Sequence, residues 1–498
     1  MHSRSLTLAL LLTVPAASVA APAGGITLSR CLLAHPVAAT RVAARCGHLE
    51  VPESPDRPDG RKLLLHVAVI PADAPSAEPD PVFVVAGGPG QAITEVYPQI
   101  APAFARLNRD RDIVLVDQRG TGGSGRLACP RLEKASAELE HVRHDESRVA
   151  ADCARSLDAD LTQYTTPAFV RDLDGVRAAL GYDRVNLVGF SYGTRASLAY
   201  ARAHPDRVRT LVLDGVAPFE MLVGADFDED SEQALAALFR RCRDDAACQA
   251  RYPSLDRDFR ALLARLDRKP EKVRARHPLT GEPLELTLDG DDVRQVVLGF
   301  LYGTETAALL PALLRQARDG DLAALAAQGI LVSTDIQAGM SRPLQLSVLC
   351  AEDVPLYRAE PGRRPARAAT PPAAGGARAT FLGSATRDAF RKLCSGWPHS
   401  APDAAFRAPQ TLDVPALLLS GGADPVTPPR WAEMAARSLP RSRQVVLPGQ
   451  GHGVFARGCV PRVVTEFVKR AAPDGLDLSC LEPLAPAPIF VDLQGSAP

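Results

Sequence analysis

An excess of charge of either sign is missing from this chain of 498 residues: 57 Lys and Arg balance 58 Asp and Glu, leaving a formal charge of −1. Electrostatic attraction to nucleic acid or to an anionic membrane therefore has no source. Beyond Ala21 no apolar stretch is long and unbroken enough to span a bilayer, so no stable membrane anchor is expected. Neither a C-x-x-C pair nor an H-E-x-x-H helix occurs, which removes the usual frames for zinc, and no metal or cofactor is expected. No internal repeat is visible.

What is present is ordinary globular composition, 46% hydrophobic and 23% charged. The length suits one large α/β domain with an insertion, or about two or three smaller domains. Residues 1–21 join a short polar and basic start (His2, Arg4) to the apolar run Leu6–Val14 and the small residues Ser18-Val19-Ala20-Ala21. That is the layout of a secretory signal peptide cleaved near Ala20 or Ala21. Cys31 follows Leu28-Ser29-Arg30, which is no lipid-anchor cleavage box. The expected mature protein is soluble and exported, either secreted or periplasmic. Ten cysteines agree with an oxidising compartment. They fall into near-neighbour pairs, Cys31 with Cys46, Cys129 with Cys153, Cys242 with Cys248, Cys350 with Cys394 and Cys459 with Cys480, although spacing alone does not establish connectivity.

The chain alternates strand-like and helix-like segments. Residues 22–60 read as a Pro-rich entry segment, Lys62–Pro71 as a strand, and Val82-Phe83-Val84-Val85 as a central strand buried on both faces. The latter runs into Ala86-Gly87-Gly88-Pro89-Gly90, where backbone N–H groups can approach a ligand with no side chain between. Residues 91–107 read as a helix and Asp112–Asp117 as the next strand. Gly120, Gly122 and Gly125 then match G-x-G-x-x-G, but Arg126–Pro130 intervene where a dinucleotide loop would open directly into a helix, so a structural loop is the better reading. Thr166-Pro167 resembles a capped helix start with Pro at the first position.

Next comes Gly189-Phe190-Ser191-Tyr192-Gly193, a G-x-S-x-G pentad between an apolar strand and a helix. Small residues on either side allow a turn sharp enough to project the Ser191 hydroxyl from the sheet edge. Alternation stops near Phe219. From 219 to about 400 the pattern is mainly helical, with helices read at Ser231–Arg251, Leu255–Asp267, Asp291–Tyr302 and Thr306–Leu325 and a β-like piece at Leu284–Leu288; Pro361–Gly376 reads as a mobile loop of this insertion. Alternation resumes with Val414–Ser420, which leads to Asp424, and with Arg443–Leu447, which leads to His452. The expected organisation is a signal peptide (1–21), a first core part (22–218), a cap (219–400), a second core part (401–475) and a Pro-rich tail (476–498).

Ser191, Asp424 and His452 each follow an apolar strand, in the chain order that α/β-hydrolases use. Strand carboxyl ends share one edge of a parallel sheet, so three side chains far apart in sequence can meet there. The chemistry calls for each type: a serine hydroxyl is a weak nucleophile, an imidazole can take and return its proton, and a carboxylate can hold the imidazole tautomer. The backbone N–H of Tyr192, with one from Gly87 or Gly88, would form an oxyanion hole. Serine at the elbow also disfavours epoxide-hydrolase and dehalogenase chemistry, which would need a carboxylate there.

Together, Ala86–Gly90, Asp117-Gln118-Arg119-Gly120-Thr121-Gly122, Gly189–Gly193, Gly422–Thr427 and Gly451-His452-Gly453 resemble the secreted tripeptidyl aminopeptidases and their relatives the prolyl iminopeptidases. The resemblance implies an α/β-hydrolase fold, a mostly parallel sheet with flanking helices and a large, mainly helical cap insertion. It implies an exopeptidase that acts on peptides with a free N-terminus through an acyl-enzyme. One departure is Ala86, which stands where the family often has His. Cys350-Ala351-Glu352-Asp353 looks like an acidic motif of the family's cap, and Glu352, with Asp353 behind it, is expected to anchor the substrate amine; a solvated acidic turn is the rival account. Two other functions compete: a secreted carboxylesterase or amidase with the same triad, and a non-catalytic binding module on a hydrolase scaffold. Residues released per cut, proline preference and oligomeric state are not written in the sequence.

Overall fold

Runs such as Val82–Val85 and Ile113–Val116, with no polar side chain, are satisfied only in a sheet covered on both faces. A computed structural model of the protein describes residues 25–137, 146–357, 380–401, 404–492 and 494–496. The expected signal peptide and the Pro361–Gly376 loop lie outside the described residues. The strands before the C-terminal tail are β1 (Ser29–Ala34), β2 (Arg41–Pro52), β3 (Lys62–Ile70), β4 (Val82–Val85), β5 (Ile113–Val116), β6 (Val185–Phe190), β7 (Val208–Asp214), β8 (Glu271–Arg276), β9 (Pro283–Leu288), β10 (Ala416–Gly421) and β11 (Ser442–Leu447). All but β8 and β9 join one nine-stranded sheet in the order β1-β2-β3-β5-β4-β6-β7-β10-β11. From β5 to β11 every pairing in that order is parallel, and β1, β2 and β3 add an antiparallel edge.

Strands β1 and β2 differ from the reading of 22–60 as an entry segment. β2 carries Arg41, Arg45, His48 and Glu50 on a largely exposed stretch, and such charged residues suit the rim of a sheet while hiding the apolar signal of a strand.

Helices α1 (Ile93–Asn108), α2 (Pro130–Ala137), α3 (Glu146–Ser156), α4 (Thr166–Ala179) and α5 (Tyr192–Ala203) follow the first strands. Between β7 and β10 lie α6 (Phe227–Asp244), α7 (Ala246–Arg251), α8 (Leu255–Arg268), α9 (Gly290–Tyr302), α10 (Thr304–Arg318), α11 (Ala323–Gln337), α12 (Arg342–Glu352), α13 (Ala385–Ser395) and the short α14 (Ala404–Arg407); α15 (Pro429–Ala436) and α16 (Val460–Arg470) complete the core. The helix read over Ser231–Arg251 breaks at Asp245, whose carboxylate accepts the Cys248 N–H at 2.8 Å and caps α7. Likewise the Thr306–Leu325 reading divides between α10 and α11.

The inserted segment is not one packing unit. Leu238, Phe259, Leu266, Val297, Phe300 and Leu313, from α6 to α10, bury one another in a core of their own. Leu344, Leu346 and Val348 of α12 and Leu393 of α13 instead bury with the sheet and its helices. Disulfides Cys31–Cys46, Cys242–Cys248, Cys350–Cys394 and Cys459–Cys480 are formed. The fifth spacing pair is corrected: Cys129 and Cys153 are buried free thiols, and the hydrogen bond from Cys153 brings the Cys129 thiol down to about 7. Their sulfurs are neighbours, as the spacing suggests, without the covalent bond.

Candidate active site

β6 ends at Phe190 and α5 begins at Tyr192, so Ser191 alone must turn the chain. Its backbone sits at φ 53°, ψ −122°, a region that costs a side-chain-bearing residue about 1–3 kcal/mol and persists only when its surroundings enforce it. They do so by close approach. A Cβ at Gly193 would lie 2.3 Å from the Val85 carbonyl oxygen and 2.5 Å from that of Ala86, so α5 can start this near β4 only with glycine there. The Ser191 N–H donates to the Asp214 carbonyl at 2.9 Å, and its carbonyl accepts from the Thr194 hydroxyl at 2.6 Å. Its own hydroxyl has no hydrogen-bond partner among the described residues.

Tyr192 is the first residue of α5, where a backbone N–H has no intrahelical acceptor. The Gly87 and Gly88 N–H groups also have no acceptor among the described residues. Gly87 packs so tightly on the elbow that a Cβ there would lie 3.1 Å from Ser191 Cβ. The structure therefore places Tyr192 and Gly87, two of the three expected oxyanion donors, next to the serine. Their turn is braced by a connection that the sequence did not signal: between α11 and α12, Ser341 N–H donates to Gly90 at 2.8 Å, and Gly339 accepts from Ala92 at 2.9 Å.

Asp424 follows β10 and is 1% exposed. Its carboxylate accepts from Val426 N–H (2.9 Å), Thr427 N–H (2.8 Å) and the Thr427 hydroxyl (2.8 Å), and it lies 2.8 Å from His452 Nδ1. Burial alone would push this carboxyl up, but the charge and hydrogen bond of His452, helped by the two backbone donors, hold it below the usual carboxylate range. Thr427 is a supporting group whose only signal in the sequence is a Thr three residues after an Asp in a loop.

His452 follows β11. Burial would lower its imidazole, yet the Asp424 charge and hydrogen bond, with the charge of Asp214, raise it above the ordinary histidine value. Its backbone N–H donates to the Tyr302 carbonyl at the end of α9 at 2.8 Å, and the Tyr302 ring meets the imidazole edge-on at 5.1 Å between centroids. The ring also packs on Gly215, where a Cβ would lie 2.9 Å from His452 Cε1. Register places Phe190 opposite Asp214, so Ser191 and Gly215 are the next neighbours at adjoining strand ends. The imidazole is held through Nδ1 and packs on Gly215 at the end of the strand next to the one that carries the serine, while no hydrogen bond joins Nε2 to the Ser191 hydroxyl among the described residues.

Both carboxylates of the acidic pair are bonded within the chain. Asp353, 0% exposed, accepts from Arg195 Nη1 at 3.0 and 2.9 Å, from Arg407 Nη2 at 2.9 Å and from Val223 N–H at 3.1 Å. That is a buried ion cluster. Glu352, 7% exposed, accepts from Thr166 N–H at 2.7 Å and from the Thr166 hydroxyl at 2.8 Å. It satisfies the first turn of α4, whose N-cap is Thr165 rather than Thr166. Burial pushes the Glu352 carboxyl up to about 7.

Residues 80–310 match the family model for the alpha/beta hydrolase fold, and residues 379–480 match the model for TAP-like proteins. Serine protease Hip1 of Mycobacterium tuberculosis (H37Rv) is 32% identical over 187 residues, 34% of this chain and 36% of that protein. Tripeptidyl aminopeptidase of Streptomyces lividans is 29% identical over 188 residues, 34% of this chain and 35% of that protein. Both matches therefore span only about a third of those relatives' length. Carboxylesterase B of Mycobacterium tuberculosis (CDC 1551) is 29% identical over 436 residues, 80% of this chain and 78% of that protein.

Proposed function

We propose, from the premise that the chain is a TAP-like α/β-hydrolase, that it is an exported serine peptidase that cleaves residues or short peptides from free peptide N-termini. In this reading Ser191 Oγ attacks the scissile carbonyl carbon and passes its proton to His452 Nε2. Asp424 keeps the other ring proton on Nδ1 and stabilises the imidazolium. The developing oxyanion accepts hydrogen bonds from Tyr192 N–H and from Gly87 or Gly88 N–H, donors each worth about 10²–10³ in kcat. Collapse breaks the C–N bond as His452 gives the proton to the leaving amine; a water deprotonated by His452 then attacks the Ser191 ester, and His452 returns that proton to Ser191 Oγ as the acyl–oxygen bond breaks.

The observation that carries this reading is the 2.8 Å contact between His452 Nδ1 and Asp424, with the ring packed at the strand end next to Ser191. Export is supported by the Leu6–Val14 run and by four disulfides. Preference for a free N-terminus is supported by the TAP-like match, not by Glu352 or Asp353.

A second reading, carboxylesterase or amidase action with the same residues, is favoured by one observation: the relative matched over 78% of its length is named a carboxylesterase. Unblocked tripeptidyl and aminoacyl amides compared with p-nitrophenyl acetate separate the two. Hydrolysis of the ester alone would overturn the peptidase reading, and failure of a fluorophosphonate to label Ser191 would overturn both. Mass spectrometry of the products from a peptide mixture would give the number of residues released per cut.

A further inference from the structure

We propose that Asp214 is a positioning residue for the candidate base, one that ties nucleophile to histidine and supports the imidazolium with a second buried carboxylate. The inference rests on the reading of Ser191 and His452 given above. Asp214 ends β7, the strand that lies between β6, which delivers the serine, and β10, which delivers Asp424. Its main-chain carbonyl accepts the Ser191 N–H at 2.9 Å. Its side chain reaches the backbone just after His452: Oδ1 and Oδ2 accept Val454 N–H at 3.0 and 2.9 Å, and Oδ2 accepts Phe455 N–H at 2.9 Å. A single residue therefore sets the distance between the serine turn and the histidine loop.

Holding two N–H groups does not by itself call for a charge. Asp214 is 1% exposed, and burying a carboxylate without a cation is expensive. No Lys or Arg bonds it among the described residues; the ionisable groups that act on it are His452 and Asp424. Around the loop the surroundings are aromatic, with Phe455 stacked on Phe104 at 4.6 Å and edge-on to Phe190 at 5.5 Å. Water screens little there, and the charge acts on the imidazole through a poorly polarisable medium. Burial pushes the Asp214 carboxyl up to about 6, while the two backbone donors and the charge of His452 limit the rise. An anion on this side favours protonated His452, the form created when the serine gives up its proton.

Asp214→Asn keeps the shape and one acceptor oxygen but removes the charge. With p-nitrophenyl acetate as substrate, kcat is expected to fall about tenfold or more with KM within about twofold. The acid limb of the pH profile is expected to move to lower pH by about half a unit or more, because the imidazole loses a stabilising anion. An acid limb that superimposes on the wild type, while Ser191→Ala is inactive, overturns the inference and leaves the site reading standing. An active Ser191→Ala overturns both. If Asp214→Asn does not fold, the His452 Nδ1–H resonance of the wild-type protein is followed by proton NMR: a second inflection besides that of the imidazole itself supports the inference, and a single inflection overturns it.

Discussion

The serine site and the acidic end of α12 are both polar clusters inside an apolar body, and Tyr192 belongs to each. Its backbone N–H faces the first, while its hydroxyl lies 2.7 Å from Thr166 Oγ1 in the second. They differ in what is left over. Around Ser191 the serine hydroxyl, His452 Nε2 and three backbone N–H groups have no partner among the described residues. Around Asp353 the carboxylate is consumed by two guanidiniums and a backbone N–H. Polar groups held rigidly with bonding capacity in hand can act on a substrate, whereas groups whose capacity is spent hold helices together.

Experiments can break that contrast, beginning with the largest expected effect. Ser191→Ala should lower kcat by about 10⁴–10⁶-fold with no loss of thermal stability in a melting scan, since the hydroxyl has no hydrogen-bond partner among the described residues; a residual rate near wild type would erase the distinction. Asp353→Ala should do the reverse. It leaves Arg195 buried without its anion, a change that costs about 3–5 kcal/mol, read as a lower denaturant midpoint, with any surviving folded enzyme still reacting with a fluorophosphonate.

Next in size is the pH dependence of kcat/KM. His452 must be neutral to accept the serine proton, and its raised value means that activity is lost as pH falls through a point above the ordinary histidine 6.5; an acid limb below 6.5 would contradict the described pairing with Asp424. Smallest is Glu352→Gln. A carboxyl raised from 4.5 to about 7 on folding keeps its proton better in the folded state. Its contribution to stability is therefore greatest below 4.5 and declines as pH rises to about 7. Glutamine should flatten that decline in denaturation curves measured across the range. It should also leave the ratio of rates on free and N-acetylated peptides unchanged, whereas a selective loss on the free peptides would restore Glu352 as an amine anchor.

The elbow was legible because its requirements are local: Ser191 between a strand and a helix needs small flanks, and Gly193 sits where no Cβ fits. Asp424 and His452 were legible as polar residues punctuating the ends of apolar strands in a fixed order. The parallel sheet followed from the alternation that surrounds them. Less was legible where contacts join distant parts of the chain. Glu352 and Thr166 are 186 positions apart, and Arg195 and Asp353 are 158, so no window of sequence contains both partners. The hold of Tyr302 on the histidine loop and of Gly339–Ser341 on the oxyanion turn is of the same kind.

By itself the order of residues determined the fold class and the identities of the candidate nucleophile, base and acid, because glycine sterics and strand periodicity act over a few positions. Only the tertiary structure decided which buried carboxylates are free to work. Their hydrogen-bonding capacity is used up or spared by neighbours that folding, not sequence proximity, supplies.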